Sequence, residues 1–349
     1  MQTAFCRYDL RFKAPAKTSR ETLHEKTIYY IKVWDPSDPS RFGIGECALF
    51  RGLSADDRED YEDILATLCR RLNSSEPFDI SRFSSIKFGL ETALLDYENG
   101  CCRTPFPSAF TEGKESVRIN GLVWMGTADE MTLRADEKIA AGFRCLKFKV
   151  GGVDFNDELR IIDRIRCQYP PEKLEIRLDA NGAFTPDNAM DRLRRLAVLD
   201  IHSIEQPVRQ GQWDAMAWLC ENSPIPVALD EELIGVDDPD ERRRMLYYIS
   251  PSYIILKPSL CGGFSGATDW IDRAEAQGIG WWVTSALESD IGLNAIAQWT
   301  AAMHPSLPQG LGTGALYTNN FTSPLRLHGD MLGFDPAAEW VFPRLQWSL

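Results

Sequence analysis

Acidic residues stand at the ends of three successive apolar runs in the sequence. Asp179, Glu205 and Asp230 close these runs, although a hydrophobic strand has no structural need for a carboxylate there. On neighbouring parallel strands the three carboxylates would converge and repel one another, and a hard divalent cation with oxygen ligands removes that conflict. Mg²⁺ suits the set better than zinc, because no histidine or cysteine accompanies it. The pattern therefore predicts a magnesium site.

Lysines occupy comparable positions at the ends of two other runs. Lys147 and Lys149 are two residues apart, so on a strand both side chains point to one face. Lys257 ends a later run and is expected to approach the site from the opposite side. Two adjacent ammonium groups depress one another's pKa, which favours a base near pH 7. A cation flanked by lysines suits removal of a proton from the carbon beside a carboxylate, since both spread the charge of the resulting enediolate.

The elements that must position these groups form a repeating pattern between residues 116 and 320. Short apolar runs end roughly 25 to 30 residues apart, which is the length of a strand, a helix and two loops. The runs cover 118–122, 145–150, 175–179, 203–205, 227–230, 253–257, 281–285 and a weak last one near Gly310. Helical spacing is found at 128–141, 154–169, 186–198, 213–220, 265–276 and 291–302. Eight such βα units close a barrel, whose active face lies at the carboxyl ends of its strands.

The first part of the chain has a different pattern, typical of a small α+β unit. Residues 5–13 and 27–34 alternate like strands, and 56–72 and 86–98 have helical spacing. The polar segment 18–26 is expected to be mobile and to fold over the barrel mouth. We predict an α+β capping domain at 1–115, a catalytic β/α barrel at 116–320, and an aromatic segment at 321–349 that packs back on the cap.

Composition limits the possible partners. The formal net charge of −13 disfavours nucleic acid and anionic membrane surfaces, so a small-molecule carboxylate is the expected partner. No run of about 18 apolar residues is present, and the first ten residues do not resemble a signal peptide. Nine scattered cysteines fit reduced thiols, and the four histidines show no ligand pairing. A cytoplasmic protein is expected, and its oligomeric state stays open.

These residues together resemble the motifs of the enolase superfamily, in its muconate-cycloisomerase-like group. Lys147-Phe148-Lys149 is similar to the KxK motif of that superfamily, the three carboxylates are similar to its metal triad, and Lys257 to its opposing lysine. The resemblance implies an α/β fold: a (β/α)7-8 enolase-type barrel with an N-terminal α+β capping domain completed by the C-terminal segment. It also implies Mg²⁺ as the cofactor, with Mn²⁺ able to substitute.

Further segments are similar to the o-succinylbenzoate synthases. Arg177 and Asn181 match their RxDxN pattern, and residues 284–293 and 310–314 resemble their seventh and eighth barrel loops. The resemblance implies dehydration of a succinyl-bearing cyclohexadiene carboxylate to an aromatic product in menaquinone biosynthesis. Lys149 would take the α-proton and return it to the departing hydroxide on the same face, Lys147 would tune it, and Lys257 would stay protonated. The expected substrate-binding residues are Arg177, Asn181, Ser285 and Gly312.

Three other interpretations stay open. A racemase or epimerase acting on N-succinylamino acids or dipeptides would use Lys149 and Lys257 as bases on opposite faces. An aldolase of another class would form a Schiff base on Lys257. A binding protein could keep the barrel without turnover. Asp290 stands where related loops carry a small polar residue, and Glu231 and Glu232 are expected at the rim rather than on the metal.

Overall fold

A computed structural model describes residues 1–17 and 22–348 of the chain. Of the segment 18–26 that was expected to be mobile, residues 18–21 lie outside the described part. Residues 22–26 belong to a strand instead, and Lys26, the last residue of the segment 18–26, is buried. Within the described residues, no helix has the length and apolar character needed to cross a membrane.

The capping domain is a three-stranded antiparallel sheet with two helices packed on it. Its strands are β1 (Gln2–Lys17), β2 (Thr22–Trp34) and β3 (Phe42–Cys47), in that order, and its helices are α1 (Tyr61–Asn73) and α2 (Ser84–Glu98). Helix α2 lies very close to β3. A Cβ on Gly45 would stand only 1.9 Å from the carbonyl oxygen of Gly89. Glycine is therefore required at this crossing.

The barrel consists of parallel strands that alternate with helices. In one continuous sheet its strands are β5 (Gly121–Val123), β6 (Cys145–Lys149), β7 (Glu175–Asp179), β8 (Ser203–Glu205), β9 (Val227–Leu229), β10 (Tyr253–Leu256) and β11 (Gly280–Val283). The helices between and after them are α3 (Ala128–Ala140), α4 (Phe155–Gln168), α5 (Pro186–Ala197), α6 (Trp213–Asn222), α7 (Pro239–Ile249), α8 (Gly263–Glu275) and α9 (Asp290–Ala302). The predicted α/β barrel is confirmed.

A two-residue segment at Gln309 and Gly310 closes the ring in place of an eighth strand. Gly310 forms a parallel bridge with Thr284, just after β11, and Gln309 forms one with Ile119, just before β5. The amide of Gly310 donates to Val283 O at 2.7 Å, and the amide of Asn120 donates to Gln309 O at 2.9 Å. The weak last run near Gly310 is thus a short bridge rather than a full strand.

Helix α7 is the one barrel helix in the described residues that the sequence reasoning did not predict. It begins after Asp238, whose side chain accepts from the amides of Asp240 and Glu241. Its buried face consists of Arg242, Met245, Leu246 and Ile249. An arginine begins this stripe, so the hydrophobic pattern that normally marks a helix is incomplete. The guanidinium is accommodated because it donates to Val236 O, Gly266 O and Asp269.

The C-terminal segment returns to the capping domain. Strand β13 (Met331–Phe334) pairs with β12 (Leu325–His328) on one side and with β4 (Val117–Arg118) on the other. The predicted run 118–122 is thus divided between β4 and β5. Beyond them the chain pairs Ser348 with Phe5 of β1. Aromatic side chains of this segment pack against the sheet of β1, β2 and β3; they are Phe321, Trp340, Phe342 and Trp347.

The pleat of each barrel strand separates the core from the site. On β6, Leu146 and Phe148 are fully buried in the large hydrophobic core between the strands and the helices. Lys147 and Lys149 alternate with them and therefore face the barrel axis. Strand pairing places Lys149 beside Asp179, and Asp179 beside Glu205. The apolar pattern of the strands is thus what fixes the inward direction of the ionisable residues.

Candidate active site

Three carboxylates meet inside the barrel at the carboxyl ends of β7, β8 and β9. Asp179, Glu205 and Asp230 each offer an oxygen, and these oxygens all lie within 4.8 Å of one another. All three residues are at most 2% exposed. Such close burial of three carboxylates is stable only with positive charge beside them.

Lys147 supplies part of that charge. Its Nζ lies 2.7 Å from Glu205 Oε2 and 2.9 Å from Asp179 Oδ2. Burial by itself lowers the pKa of Lys147, but the charges of Asp179, Glu205 and Asp230 outweigh burial and raise the pKa. This corrects the expectation that the lysine pair would depress its own pKa values, because for Lys147 the carboxylates dominate. Burial by itself raises the pKa of Asp179, but the charges of Lys147 and Lys149 outweigh burial and hold the pKa below its usual range.

Lys149 lies at the open side of the triad. Its Nζ is 2.5 Å from Asp179 Oδ2 and 2.7 Å from Asn181 Oδ1. Asn181 in turn donates from Nδ2 to Glu231 Oε1 at 2.8 Å. The amide of Asn181 therefore fixes the position of the ammonium group that reaches furthest into the cavity from β6.

Lys257 follows β10 and forms an ion pair with Asp230. Burial by itself lowers the pKa of Lys257, but the charges of Asp230, Glu205 and Glu231 outweigh burial and raise the pKa. Lys149 and Lys257 line one cavity from the second and sixth strands, and Lys147 and Glu231 also line it. The two lysines thus flank one space with the carboxylates directly beneath them.

The cavity has a volume of about 350 Å³. The capping domain contributes Phe50, Arg51 and Leu53 to its wall, and the seventh and eighth units contribute Ser285, Ala286, Leu287, Gly310, Gly312 and Thr313. A cavity of this size, largely apolar with a few converging polar groups, suits a small-molecule ligand.

Three of the four predicted substrate-binding residues line the cavity. Asn181, Ser285 and Gly312 are among its wall residues. Ser285 Oγ lies 2.7 Å from Thr313 Oγ1, so the hydroxyls of the seventh and eighth loops support one another. Asn181 has a left-handed backbone with φ of 44°, a conformation that asparagine tolerates better than most residues.

Arg177 does not line the cavity, which corrects its predicted place. It precedes Asp179 by two residues and faces the axis one layer deeper, where it is 1% exposed. Its guanidinium donates to Glu175 at 2.6 Å and to Pro308 O at 2.8 Å, and it lies 4.2 Å from the ring centroid of Trp282. Sequence spacing gave the correct face but not the depth.

Asp290 is also held away from the cavity. It accepts from Asn320 Nδ2 at 2.8 Å and from Ser323 Oγ at 2.7 Å, which attaches helix α9 to the C-terminal segment. Burial raises the pKa of Asp290 to about 6. Its charge therefore faces a structural contact rather than the ligand space.

Glu231 and Glu232 lie outside the triad. Glu231 is buried, and among the described residues its Oε2 has no hydrogen-bond partner. Burial and the charge of Asp230 raise the pKa of Glu231. Glu232 accepts from Gln206 Nε2 at 3.0 Å and from the amide of Gly211 at 2.8 Å, so it fixes the loop behind the triad.

The sequence did not lead us to predict that residues of the first barrel strand line the cavity. Asn120, Leu122 and Trp124 alternate along β5 and its flanks, and all three line the cavity. The available signal was a polar asparagine in an otherwise apolar inward-facing row.

The donor set is suited to a metal cation. It consists of three buried carboxylates from adjacent strands, with neither a thiol nor an imidazole among them. Hard divalent cations prefer such oxygen ligands. The triad can therefore hold a divalent metal.

Comparison with known proteins gives the family. The family model described as "Enolase C-terminal domain-like" matches residues 130–334. The o-succinylbenzoate synthase of Desulfotalea psychrophila is 46% identical over 95% of this chain and 99% of that protein. The L-Ala-D/L-Glu epimerase of Bacillus subtilis is 26% identical over 82% of this chain and 81% of that protein.

Solved structures of the same family have a similar fold. The crystal structure of MenC from Desulfotalea psychrophila has a TM-score of 0.86 at 43% identity, covering 95% of this chain and 99% of that one. The substrate-liganded L-Ala-D/L-Glu epimerase of Bacillus subtilis has a TM-score of 0.80 at 22% identity and covers 96% of each chain, which shows a shared fold. The chain therefore belongs to the enolase superfamily and, within it, to the o-succinylbenzoate synthase family.

Proposed function

We propose that this protein is an o-succinylbenzoate synthase, a carbon–oxygen lyase that dehydrates 2-succinyl-6-hydroxy-2,4-cyclohexadiene-1-carboxylate to 2-succinylbenzoate in menaquinone biosynthesis. The observation that carries the proposal is the placement of Lys149 and Lys257 on opposite sides of one cavity, above a buried carboxylate triad. The 46% identical relative of that name supports the choice of substrate.

Lys149 acts as the base in this proposal. In its amine form it takes the proton from the ring carbon beside the carboxylate, and the electron pair of that C–H bond spreads onto the carboxylate as an enediolate. The C–O bond at the neighbouring carbon then breaks, and Lys149 returns the proton to the departing hydroxide, which leaves as water. Asn181 holds Nζ at 2.7 Å, so both transfers start from one fixed position on one face.

Lys257 stays protonated on the other face. Its ion pair with Asp230 holds the ammonium group in place, where it stabilises the negative charge that develops on the substrate. Lys147 lies between Asp179 and Glu205 and sets the field around Lys149. The three lysines thus have separate roles as base, electrostatic partner and support.

We assign the metal site to Asp179, Glu205 and Asp230, with Mg²⁺ as the cation and Mn²⁺ as a substitute. The set of three carboxylates without nitrogen or sulfur ligands supports this choice. When bound, the cation supplies Lewis-acid stabilisation of charge on the substrate carboxylate. Ser285, Gly312 and nearby backbone amides are proposed to hold the terminal carboxylate of the succinyl arm.

The deciding experiment is direct turnover. Purified protein is mixed with Mg²⁺ and the cyclohexadiene substrate, and the aromatic product is followed by ultraviolet absorbance. Product should form, stop with EDTA and resume when Mg²⁺ is restored. Absence of product with intact, folded, metal-loaded protein would rule out the assignment.

A racemase or epimerase is the second candidate, because lysines on opposite faces of a ligand suit a two-base reaction. Relatives named N-succinyl-L-Arg/Lys racemase and L-Ala-D/L-Glu epimerase match this chain at 28% and 26% identity. Incubation of N-succinylamino acids or dipeptides in D₂O distinguishes the two. Deuterium at the α-carbon without aromatic product from the cyclohexadiene would favour the racemase.

A Schiff-base aldolase that uses Lys257 is the alternative of another class, and the 46% identical o-succinylbenzoate synthase speaks against it. Borohydride trapping of an adduct on Lys257, with activity retained in EDTA, is the result that would favour it.

We infer a cytoplasmic setting from the nine free thiols and the net charge of −13, with a small carboxylate rather than nucleic acid as partner.

A further inference from the structure

Three polar atoms in the cavity wall have no hydrogen-bond partner in the described part of the chain. One, Glu231 Oε2, belongs to a carboxylate beside the triad, and the two on uncharged side chains are Asn120 Oδ1 and Thr284 Oγ1. Both residues line the cavity, and Asn120 is only 5% exposed. Buried polar groups in proteins are nearly always paired, so unpaired atoms on side chains that line a cavity indicate partners that arrive with a ligand.

The two side chains stand on either side of Gly310. Thr284 forms the parallel bridge with Gly310, and the amide of Asn120 bonds to Gln309 O next to it. A Cβ on Gly310 would lie 2.4 Å from Thr284 Oγ1. The Thr284 side chain therefore packs directly against Gly310, a position that has room only for glycine.

This part of the wall belongs to the first, seventh and eighth units of the barrel. The triad belongs to the third, fourth and fifth, so the two sets lie across the barrel from each other. Ser285 and Thr313, also in this wall, carry no charge and are bonded to each other at 2.7 Å. Asn120 and Thr284 are the uncharged pair in this wall whose oxygens have no hydrogen-bond partner in the described residues.

The chemistry of the pair fits a neutral oxygen. A hydroxyl can donate, and an amide can turn to present either its oxygen or its NH₂ group. A ketone oxygen accepts two such bonds. The substrate of the proposed function carries one ketone, located between the ring, whose carboxylate belongs at the metal side, and the terminal carboxylate of its arm.

We propose that Asn120 and Thr284 hydrogen-bond the ketone oxygen of the succinyl arm and so select ring carboxylates that carry an acyl group. This inference rests on the proposed function, whose own test is turnover. It assigns a binding role to the first barrel strand, which supplies neither a metal ligand nor a lysine.

The test compares two ligands that differ only at the ketone. Binding of 2-succinylbenzoate and of 4-(2-carboxyphenyl)butanoate, in which a methylene replaces the ketone, is measured by calorimetry with Mg²⁺ present. Wild-type protein should bind the ketone ligand about 10-fold or more tightly. Asn120→Leu and Thr284→Val should each lose most of this preference while binding the methylene ligand as before.

Thr300→Val is the matched control. Thr300 Oγ1 is equally buried and unpartnered, but Thr300 lies on α9 and does not line the cavity. Its variant should keep the wild-type preference. Thermal unfolding reports whether each variant is folded, and Asn120→Ser serves if Asn120→Leu is not. An unchanged preference in the folded Asn120 and Thr284 variants overturns the inference, whether or not the wild type turns the cyclohexadiene over.

Discussion

The ammonium group of Lys26, on the capping sheet, donates to the carbonyl oxygen of Ala286 in the barrel at 2.7 Å. It also donates to Leu287 O at 3.0 Å. Both acceptors belong to residues that line the cavity, and Lys26 is only 6% exposed. A cation of the cap thus fixes the backbone of the seventh barrel loop, next to Ser285.

Replacing Lys26 with methionine should loosen this loop. Ala286 O loses this donor, while Leu287 O keeps the hydroxyl of Tyr317, so we expect a loss of about 2 kcal/mol in the free energy of unfolding, measured with urea. The KM of the folded enzyme should rise more than kcat falls, since the loop forms the wall rather than the base. Lys32→Met on the same strand is the control, because the Lys32 ammonium lies over aromatic rings of the cap and C-terminal segment. Equal effects of the two variants would contradict the link between cap and loop.

Stability should depend on pH through Glu46, which accepts from the amides of Ser289 and Gly292 at the start of α9. Burial raises the pKa of Glu46, the charge of Lys26 opposes it, and the balance is about 7. Between the ordinary value near 4.5 and 7 the folded state holds a proton that the unfolded state has lost, so stability falls as pH rises.

The measurable quantity is the difference in unfolding free energy between wild type and Glu46→Gln. The wild type should lose up to about 3 kcal/mol relative to the variant from pH 4 to 8, and the difference should level off above that range. A pH-independent difference would show that Glu46 keeps an ordinary pKa in the folded protein.

Alanine at Lys149 should reduce kcat by about 10³-fold or more, since it removes the proposed base. The fold should persist, because Asp179 keeps its contact with Lys147. Steady-state kinetics and circular dichroism together check this, with the exposed Lys173→Ala as a control of equal chemistry. Near-normal turnover by the Lys149 variant would refute the proposed mechanism.

Divalent metal should stabilise the protein independently of turnover. A cation that binds only the folded state adds about 2.7 kcal/mol at a concentration 100-fold above its Kd. The midpoint of thermal unfolding should therefore rise with Mg²⁺, and the rise should vanish in Glu205→Gln. An equal rise in this variant would place the metal elsewhere.

Arg177→Met tests the structural place of the arginine. It leaves Pro308 O and Glu175 without a guanidinium, so a loss of about 3 kcal/mol in unfolding free energy is expected. The KM of the fraction that stays folded should change less than twofold. A large rise in KM without loss of stability would return Arg177 to substrate binding.

The sequence by itself determined the barrel and the ionisable residues that face its axis. Period-two alternation around Lys147 and Lys149 fixes which face each side chain takes, because the pleat has a repeat of two. The regular spacing of Asp179, Glu205 and Asp230 places these residues on neighbouring strands. Both are local properties that a one-dimensional pattern contains.

Tertiary structure decided how deep each side chain lies in the barrel, which distant groups pair, and how the ring of strands closes. The face of Arg177 follows from its strand, but its layer depends on how neighbouring strands are staggered, which no single segment specifies. The rise in the pKa of Lys147 arises from carboxylates on other strands. The contact of Lys26 with Ala286 joins residues 260 positions apart, and only the packed chain brings such groups together.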